Sequence, residues 1–210
     1  MSTPDESNMI TDALMKLLSS VPSSDETLAT NPKERAQEII KNAAMKAAGA
    51  SGAMALPPGP LGFATILPDL LTVWHIQKSM VADIAAAYGK KPALTRESMI
   101  YCLFKHAGAA LVRDVVTRVG GRMVIRRTTL RMAQSVLKRI GIKVTQTTIG
   151  KSIGRWLPLI GAVGIGAYSY YDTTQVGATA IELFSQDLSV DNSETDLPKA
   201  DKAATPSFFQ

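Results

Sequence analysis

The sequence predicts an all-α fold, a compact bundle of six or seven helices between disordered ends. Apolar residues follow helical spacing through most of the chain between residues 32 and 186. Capping residues stand where several of these segments begin, and glycines stand where they end. Apolar residues make up 46% of the chain and charged residues 20%, which is typical of a globular domain with one core.

Both ends of the chain are expected to be disordered. Residues 1–31 and 187–210 are poor in large apolar side chains and rich in Ser, Thr, Asp and Pro. Within the first of these arms, Met9–Leu18 can form one short amphipathic helix that docks weakly. The start of the chain has no basic segment before an apolar run, so no secretory signal peptide is predicted. The single cysteine, Cys102, excludes an intramolecular disulfide and a cysteine-based zinc site.

Asn31 and Pro32 predict the start of the helical domain, which spans residues 32–186. Asn is favoured at the N-cap of a helix and Pro at its first position, and we expect this helix to end near Gly49. The next run, 47–68, has no charged residue, but prolines and glycines interrupt it. It predicts an apolar hairpin of two buried helices joined by a proline turn, and a re-entrant hairpin in lipid remains the alternative.

A long helix is predicted from Pro68 to Tyr88, with Gly89 as its C-terminal cap. The helix is apolar on most sides, which is typical of a helix buried in a bundle or in lipid. One polar stripe runs along it, formed by Asp69, Thr72, His75, Ser79 and Asp83.

The next predicted helix begins at the capping residue Thr95 and continues to Val119, where Gly120 and Gly121 break it. A last helix covers 156–184 and starts in a second uncharged run, 156–171. That run is shorter than the roughly 20 residues that cross a bilayer, and its glycines indicate close helix packing. Together with 63–88, these two helices form the predicted core.

Positive charge is concentrated in the middle of the chain. Between Arg113 and Arg155, eleven basic residues accompany one acidic residue, whereas the rest of the chain carries a net charge of −5. This asymmetry indicates an anionic partner. Residues 122–140 predict one basic amphipathic helix, ended or broken by Gly141. The polar face of this helix carries Arg127, Arg131, Lys138 and Arg139.

Three segments resemble the EcsC family. They are LPPGPLGFATILPDLLTVWHIQKSMVADIAAAYGK (56–90), YCLFKHAGAALVRDVV (101–116) and RWLPLIGAVGIGAYSYYDTTQVGATAIELF (155–184). The resemblance covers roughly residues 32–186 and implies a helical EcsC-like domain there. Through the family name alone it implies an association with an ABC transporter. It implies no catalytic residue, because the family has no established biochemical activity.

Few residues suit catalysis or metal binding. The two histidines, His75 and His106, are weak catalytic candidates with Asp83, and a metal-assisted hydrolase would use Asp69, His75 and Asp83. The spacing of paired ligands that is typical of zinc sites is absent, so we expect neither a bound metal nor another cofactor. Asp69 and Asp83 more simply act as partly buried caps or ion-pair partners.

We therefore expect a non-enzymatic, membrane-associated accessory protein on the inner face of the cell membrane. Its basic helix would bind anionic lipid or a membrane protein, since each basic side chain near an anionic leaflet contributes on the order of 1 kcal/mol. A nucleic-acid partner is less favoured, because no zinc finger, RNP motif or clear helix-turn-helix signature occurs. The alternatives are the hydrolase and a soluble protein-binding adaptor. The sequence predicts no oligomeric state.

Overall fold

The computed structural model describes residues 4–54, 63–112, 115–150 and 158–195. These residues form six α-helices and a small three-stranded sheet, which confirms the largely all-α prediction. The proline turn expected within 47–68 lies outside the described residues. The helices are α1 (Pro4–Leu17), α2 (Pro32–Met54), α3 (Phe63–Ala87), α4 (Arg96–Val112), α5 (Leu130–Gly150) and α6 (Pro158–Phe184). The strands are β1 (Val116–Val119), β2 (Arg122–Thr128) and β3 (Leu188–Thr195).

The short helix expected at Met9–Leu18 is present and longer, as α1, but the disorder expected around it is wrong, because α1 is folded onto the bundle. Leu14, Leu17 and Leu18 are buried, and the helix packs mainly against α5. Its C-terminal end is held by Lys78 of α3, whose Nζ donates a hydrogen bond to the Leu17 carbonyl oxygen. Burial lowers the pKa of Lys78, yet the ammonium still meets the negative end of the α1 dipole. The leucine spacing therefore marks a docked helix.

Helices α2 and α6 pack against each other with very close backbones. A Cβ added at Gly166 would lie 3.0 Å from the Ala48 carbonyl oxygen, and one at Gly177 would lie 2.4 Å from Ile40 Cγ1. These contacts run in opposite directions along the two helices, so α2 and α6 are antiparallel. Small residues on α6 allow this approach, as the predicted close helix packing requires.

Gly89 and Thr95 act as the predicted caps at the end of α3 and the start of α4, whereas α3 begins at Phe63 and not at Pro68. Gly89 ends α3 with a positive φ of 67°, a conformation that suits glycine. The backbone N–H of Ser98 donates to Thr95 Oγ1 at 3.3 Å, so Thr95 caps α4. The rings of Trp74 and Phe104 meet edge to face at 5.8 Å between centroids and join the two helices in the core.

The prediction of one basic helix over 122–140 is wrong, because its first part is a strand. Gly120 and Gly121 have positive φ angles of 55° and 84° and form a two-residue turn that joins β1 to β2. Met123 and Ile125 face the core while Arg122 and Arg126 are exposed, which is the alternation of a half-buried strand. The predicted 95–119 helix therefore ends at Val112, and α5 begins only at residue 130, continuing through Gly141.

The expected disorder after residue 186 is wrong for residues 188–195, which form β3. This strand pairs in parallel with β2, with Met123 opposite Leu188 and Ile125 opposite Val190. Leu188 and Val190 are partly buried against the core, so the alternation of apolar and polar residues gives β3 one inward face. The sheet order is β1-β2-β3, with β2 in the centre.

The thiol of Cys102 is expected to resist modification in the folded protein. It is fully buried in α4, and burial raises its pKa, whereas the reactive species is the thiolate. A disulfide reagent at about pH 8 should modify Cys102 only when the protein opens, so the labelling rate measures the opening of α4. If the native protein is labelled as fast as the denatured protein, the buried position of Cys102 is contradicted.

Candidate functional site

We give the name basic surface to six exposed basic residues of the β1–β2 hairpin and α5. Its members are Arg118, Arg126, Arg127, Arg131, Lys138 and Arg139. None of them forms an ion pair with another described residue, whereas nearby Arg122 pairs with Asp187 at 2.7 Å. These six positive charges form no ion pair with a described residue, although Asp191 lies opposite Arg126 in the sheet.

The junction between β2 and α5 positions the centre of the basic surface. Thr129 caps α5, since its Oγ1 accepts a hydrogen bond from the Met132 N–H at 3.3 Å. Thr128 is fixed by Glu97 of α4, whose Oε1 accepts bonds from the Thr128 N–H at 3.2 Å and from its hydroxyl at 3.0 Å. Arg127 and Arg131, on either side of this junction, are thereby attached to the core.

An apolar residue lies at the tip of the hairpin, beside the basic surface. Val119 is 58% exposed and stands between Arg118 and the two turn glycines. On α5, Arg131 and Lys138 are seven residues apart and so share one face of the helix. An apolar tip with arginines beside it is suited to the boundary between lipid headgroups and acyl chains.

Sequence reasoning placed the four predicted basic residues on one helix, but the structure distributes them over two elements. Arg127 belongs to β2, whereas Arg131, Lys138 and Arg139 belong to α5. Arg118 and Arg126 also belong to the basic surface, but no pattern in the predicted helix indicated them. The glycine pair before Arg122, a hairpin signal, could have revealed them.

Three residues of the predicted polar stripe line a groove between α2 and α3. His75, Ser79 and Asp83 face it, and its volume is about 430 Å³. Thr72 instead donates its hydroxyl hydrogen to the Pro68 carbonyl oxygen at 2.9 Å, within its own helix. The side chain of Asp69 lies outside the described residues.

The second histidine lies at a different site. His106 Nε2 is 2.7 Å from Asp172 Oδ1, and Gln77 donates to Asp172 Oδ2 at 2.7 Å. Positions 75 and 77 point about 200° apart on a helix, so His75 and His106 lie on different sides of α3. Within the described ranges no three His, Cys, Asp or Glu side chains are grouped as a metal site would require. The structure therefore does not assemble His75, Asp83 and His106 into one catalytic or metal centre.

Comparisons with known proteins return no match, whether to a family profile, a curated protein or a solved structure. Among the described residues, no helix has both the length and the apolar character needed to span a bilayer.

Proposed function

We propose that this protein is a non-enzymatic accessory protein that binds anionic phospholipid surfaces from the cytoplasmic side through its basic surface. The observation that carries the proposal is the set of six exposed basic side chains without an acidic partner in the described chain. The resemblance to the EcsC family supports a role beside a membrane protein. The proposed contact is peripheral.

Charge and an apolar contact act together in this mode of binding. Each basic group that lies near an anionic leaflet contributes roughly 1 kcal/mol when the surface potential is negative. Val119 at the hairpin tip adds apolar contact at the headgroup boundary. Because salt screens exposed charges, binding should weaken as ionic strength rises.

The exposed face of α6 supports a second candidate function, a protein-binding adaptor. Ile165, Tyr168 and Tyr171 are spaced three residues apart and are between 43% and 61% exposed. Tyrosine is enriched at protein interfaces, where its ring is buried and its hydroxyl stays hydrogen-bonded. A Tyr168→Ala, Tyr171→Ala variant that loses a co-purifying protein but keeps vesicle binding would favour this function.

Removing three charges from the basic surface should abolish most vesicle binding. We expect the Arg127→Ala, Arg131→Ala, Lys138→Ala variant to bind vesicles of mixed phosphatidylserine and phosphatidylcholine about 100-fold more weakly than the wild type. Flotation with the vesicles measures the bound fraction. Pure phosphatidylcholine vesicles should bind neither protein.

The matched control removes three exposed lysines of α2. Lys33→Ala, Lys41→Ala, Lys46→Ala lowers the net charge equally, but these residues lie outside the basic surface. We expect it to bind nearly as well as the wild type. If both variants lose vesicle binding equally, net charge alone explains the effect. If the protein binds DNA but not vesicles, the partner of the basic surface is nucleic acid and not lipid.

A further inference from the structure

At one end of the groove between α2 and α3, the polar side chains are bonded to other residues of the protein. Ser24 donates its hydroxyl hydrogen to Asp83 Oδ1 at 2.6 Å, and Arg35 donates to Glu26 Oε2 at 2.8 Å. Since residues 24–26 thus hold Arg35 of α2 and Asp83 of α3, both helices contribute to this end. Lys46 and His75 lie further along their helices and line the other end.

The polar side chains at the other end have no partners in the described chain. Asn42 and Lys46 are four residues apart on α2, as are His75 and Ser79 on α3, so each pair lies on one side of its helix. None of the four makes a hydrogen bond or ion pair with a described residue, and Asp83 Oδ2 is also unpartnered there.

The charges of the groove are separated along its length. Arg35 is already paired with both Glu26 and Glu38, so the charged groups of the groove without an ion-pair partner in the described chain are the Lys46 ammonium and the Asp83 carboxylate. His75 and Asp83 are eight residues apart, which corresponds to about 12 Å along a helix. A ligand with only one charge would leave either Lys46 or Asp83 uncompensated, whereas an elongated zwitterion compensates both.

The floor of the groove is apolar. It is lined by Ile39, Ala43, Ile76 and Met80. Its volume of about 430 Å³ falls within the range of small-molecule sites. An apolar floor beneath hydrogen-bonding walls suits a ligand that has both apolar side chains and peptide groups.

We propose that the groove binds a short peptide of two or three apolar residues, with its C-terminal carboxylate at Lys46 and its N-terminal ammonium at Asp83. Three extended residues span roughly 10 Å, which is comparable to the rise of about 12 Å along α3 between His75 at one end of the groove and Asp83 at the other. Asn42, His75 and Ser79 can satisfy the peptide N–H and C=O groups between the two ends. This site is separate from the basic surface and does not depend on the lipid proposal.

Titration calorimetry with the tripeptide Ala-Leu-Ala tests the proposal on the full chain. We expect saturable binding of the free tripeptide, and a loss of about tenfold in affinity when either its amino terminus is acetylated or its carboxyl terminus is amidated. Equal binding of free and blocked tripeptides, or no saturable binding of the free tripeptide, would overturn the proposal.

Single substitutions locate the site. Lys46→Ala should lower the affinity for the free tripeptide about tenfold. It should leave the affinity for the amidated tripeptide unchanged, because only the carboxylate contacts Lys46. Asp83→Asn keeps an oxygen that can accept the hydrogen bond from Ser24. It should lower the affinity for the free tripeptide but not for the acetylated one. Lys41→Ala removes a neighbouring exposed lysine outside the groove and should bind like the wild type. Unchanged affinity in both Lys46→Ala and Asp83→Asn would exclude the groove.

Discussion

Gly177→Val is expected to lower the free energy of unfolding by about 3 kcal/mol, because an inserted side chain overpacks the contact between α2 and α6. A Cβ at this position would lie 2.4 Å from Ile40 Cγ1, 2.6 Å from its Cδ1 and 3.1 Å from its Cγ2. Ile40 is β-branched and has one strongly preferred rotamer in a helix, so it cannot easily move away. Urea denaturation followed by circular dichroism measures the loss.

Two further variants show whether Ile40 is the cause. Gly164→Val introduces the same side chain on the same helix, where no atom lies within 4 Å of an added Cβ, and should leave the stability almost unchanged. Ile40→Ala should restore part of the stability of Gly177→Val, with a coupling energy of about 1–3 kcal/mol. If Gly164→Val is equally destabilising, the contact with Ile40 does not explain the effect.

Glu97→Ala is the second substitution expected to have a large effect, about 3 kcal/mol. The Glu97 side chain is buried, and its Oε1 accepts two hydrogen bonds from Thr128, one from the backbone N–H and one from the hydroxyl. Alanine would leave both donors buried without this partner. Since Thr128 joins β2 to α5, the change should also loosen the Arg127 end of the basic surface and weaken vesicle binding.

Conservative variants separate the hydrogen bonds from the charge. Glu97→Gln keeps an acceptor oxygen and should cost less than Glu97→Ala. Thr128→Val removes the hydroxyl but keeps the backbone donor, so we expect an intermediate loss of about 1 kcal/mol. Thermal denaturation of the three variants measures the order of their stabilities. A loss in Thr128→Val equal to that in Glu97→Ala would contradict the role of the backbone bond.

Local chemistry made three of the helix ends predictable from sequence. Asn31 lies at the N-cap of α2, with its Oδ1 3.5 Å from the Glu34 nitrogen, and Thr95 caps α4. Gly89 ends α3 because only a few side chains tolerate its positive φ. These signals act within four residues, so the sequence contains them in full.

Contacts between distant residues were not predictable. β2 has a run of basic and apolar residues that suits a helix or a strand. Met123 of β2 pairs with Leu188 of β3, which lies 65 residues further along the chain. His106 meets Asp172 across 66 residues. The docking of α1 likewise depends on Lys78, which no local pattern relates to Leu17. Such pairs are decided by the packing of the whole bundle, and a single sequence has no signal for them.

The parallel pairing of β2 with β3 has a consequence for synthesis on the ribosome. β2 ends at Thr128, but its partner begins only at Leu188, 60 residues later. At about 5–20 residues per second, β2 has an unpaired edge for roughly 3–12 s. An open strand edge can pair with the same strand of a neighbouring nascent chain. Arg122, Arg126 and Arg127 should repel such a neighbour, so these charges act as gatekeepers against aggregation until β3 emerges.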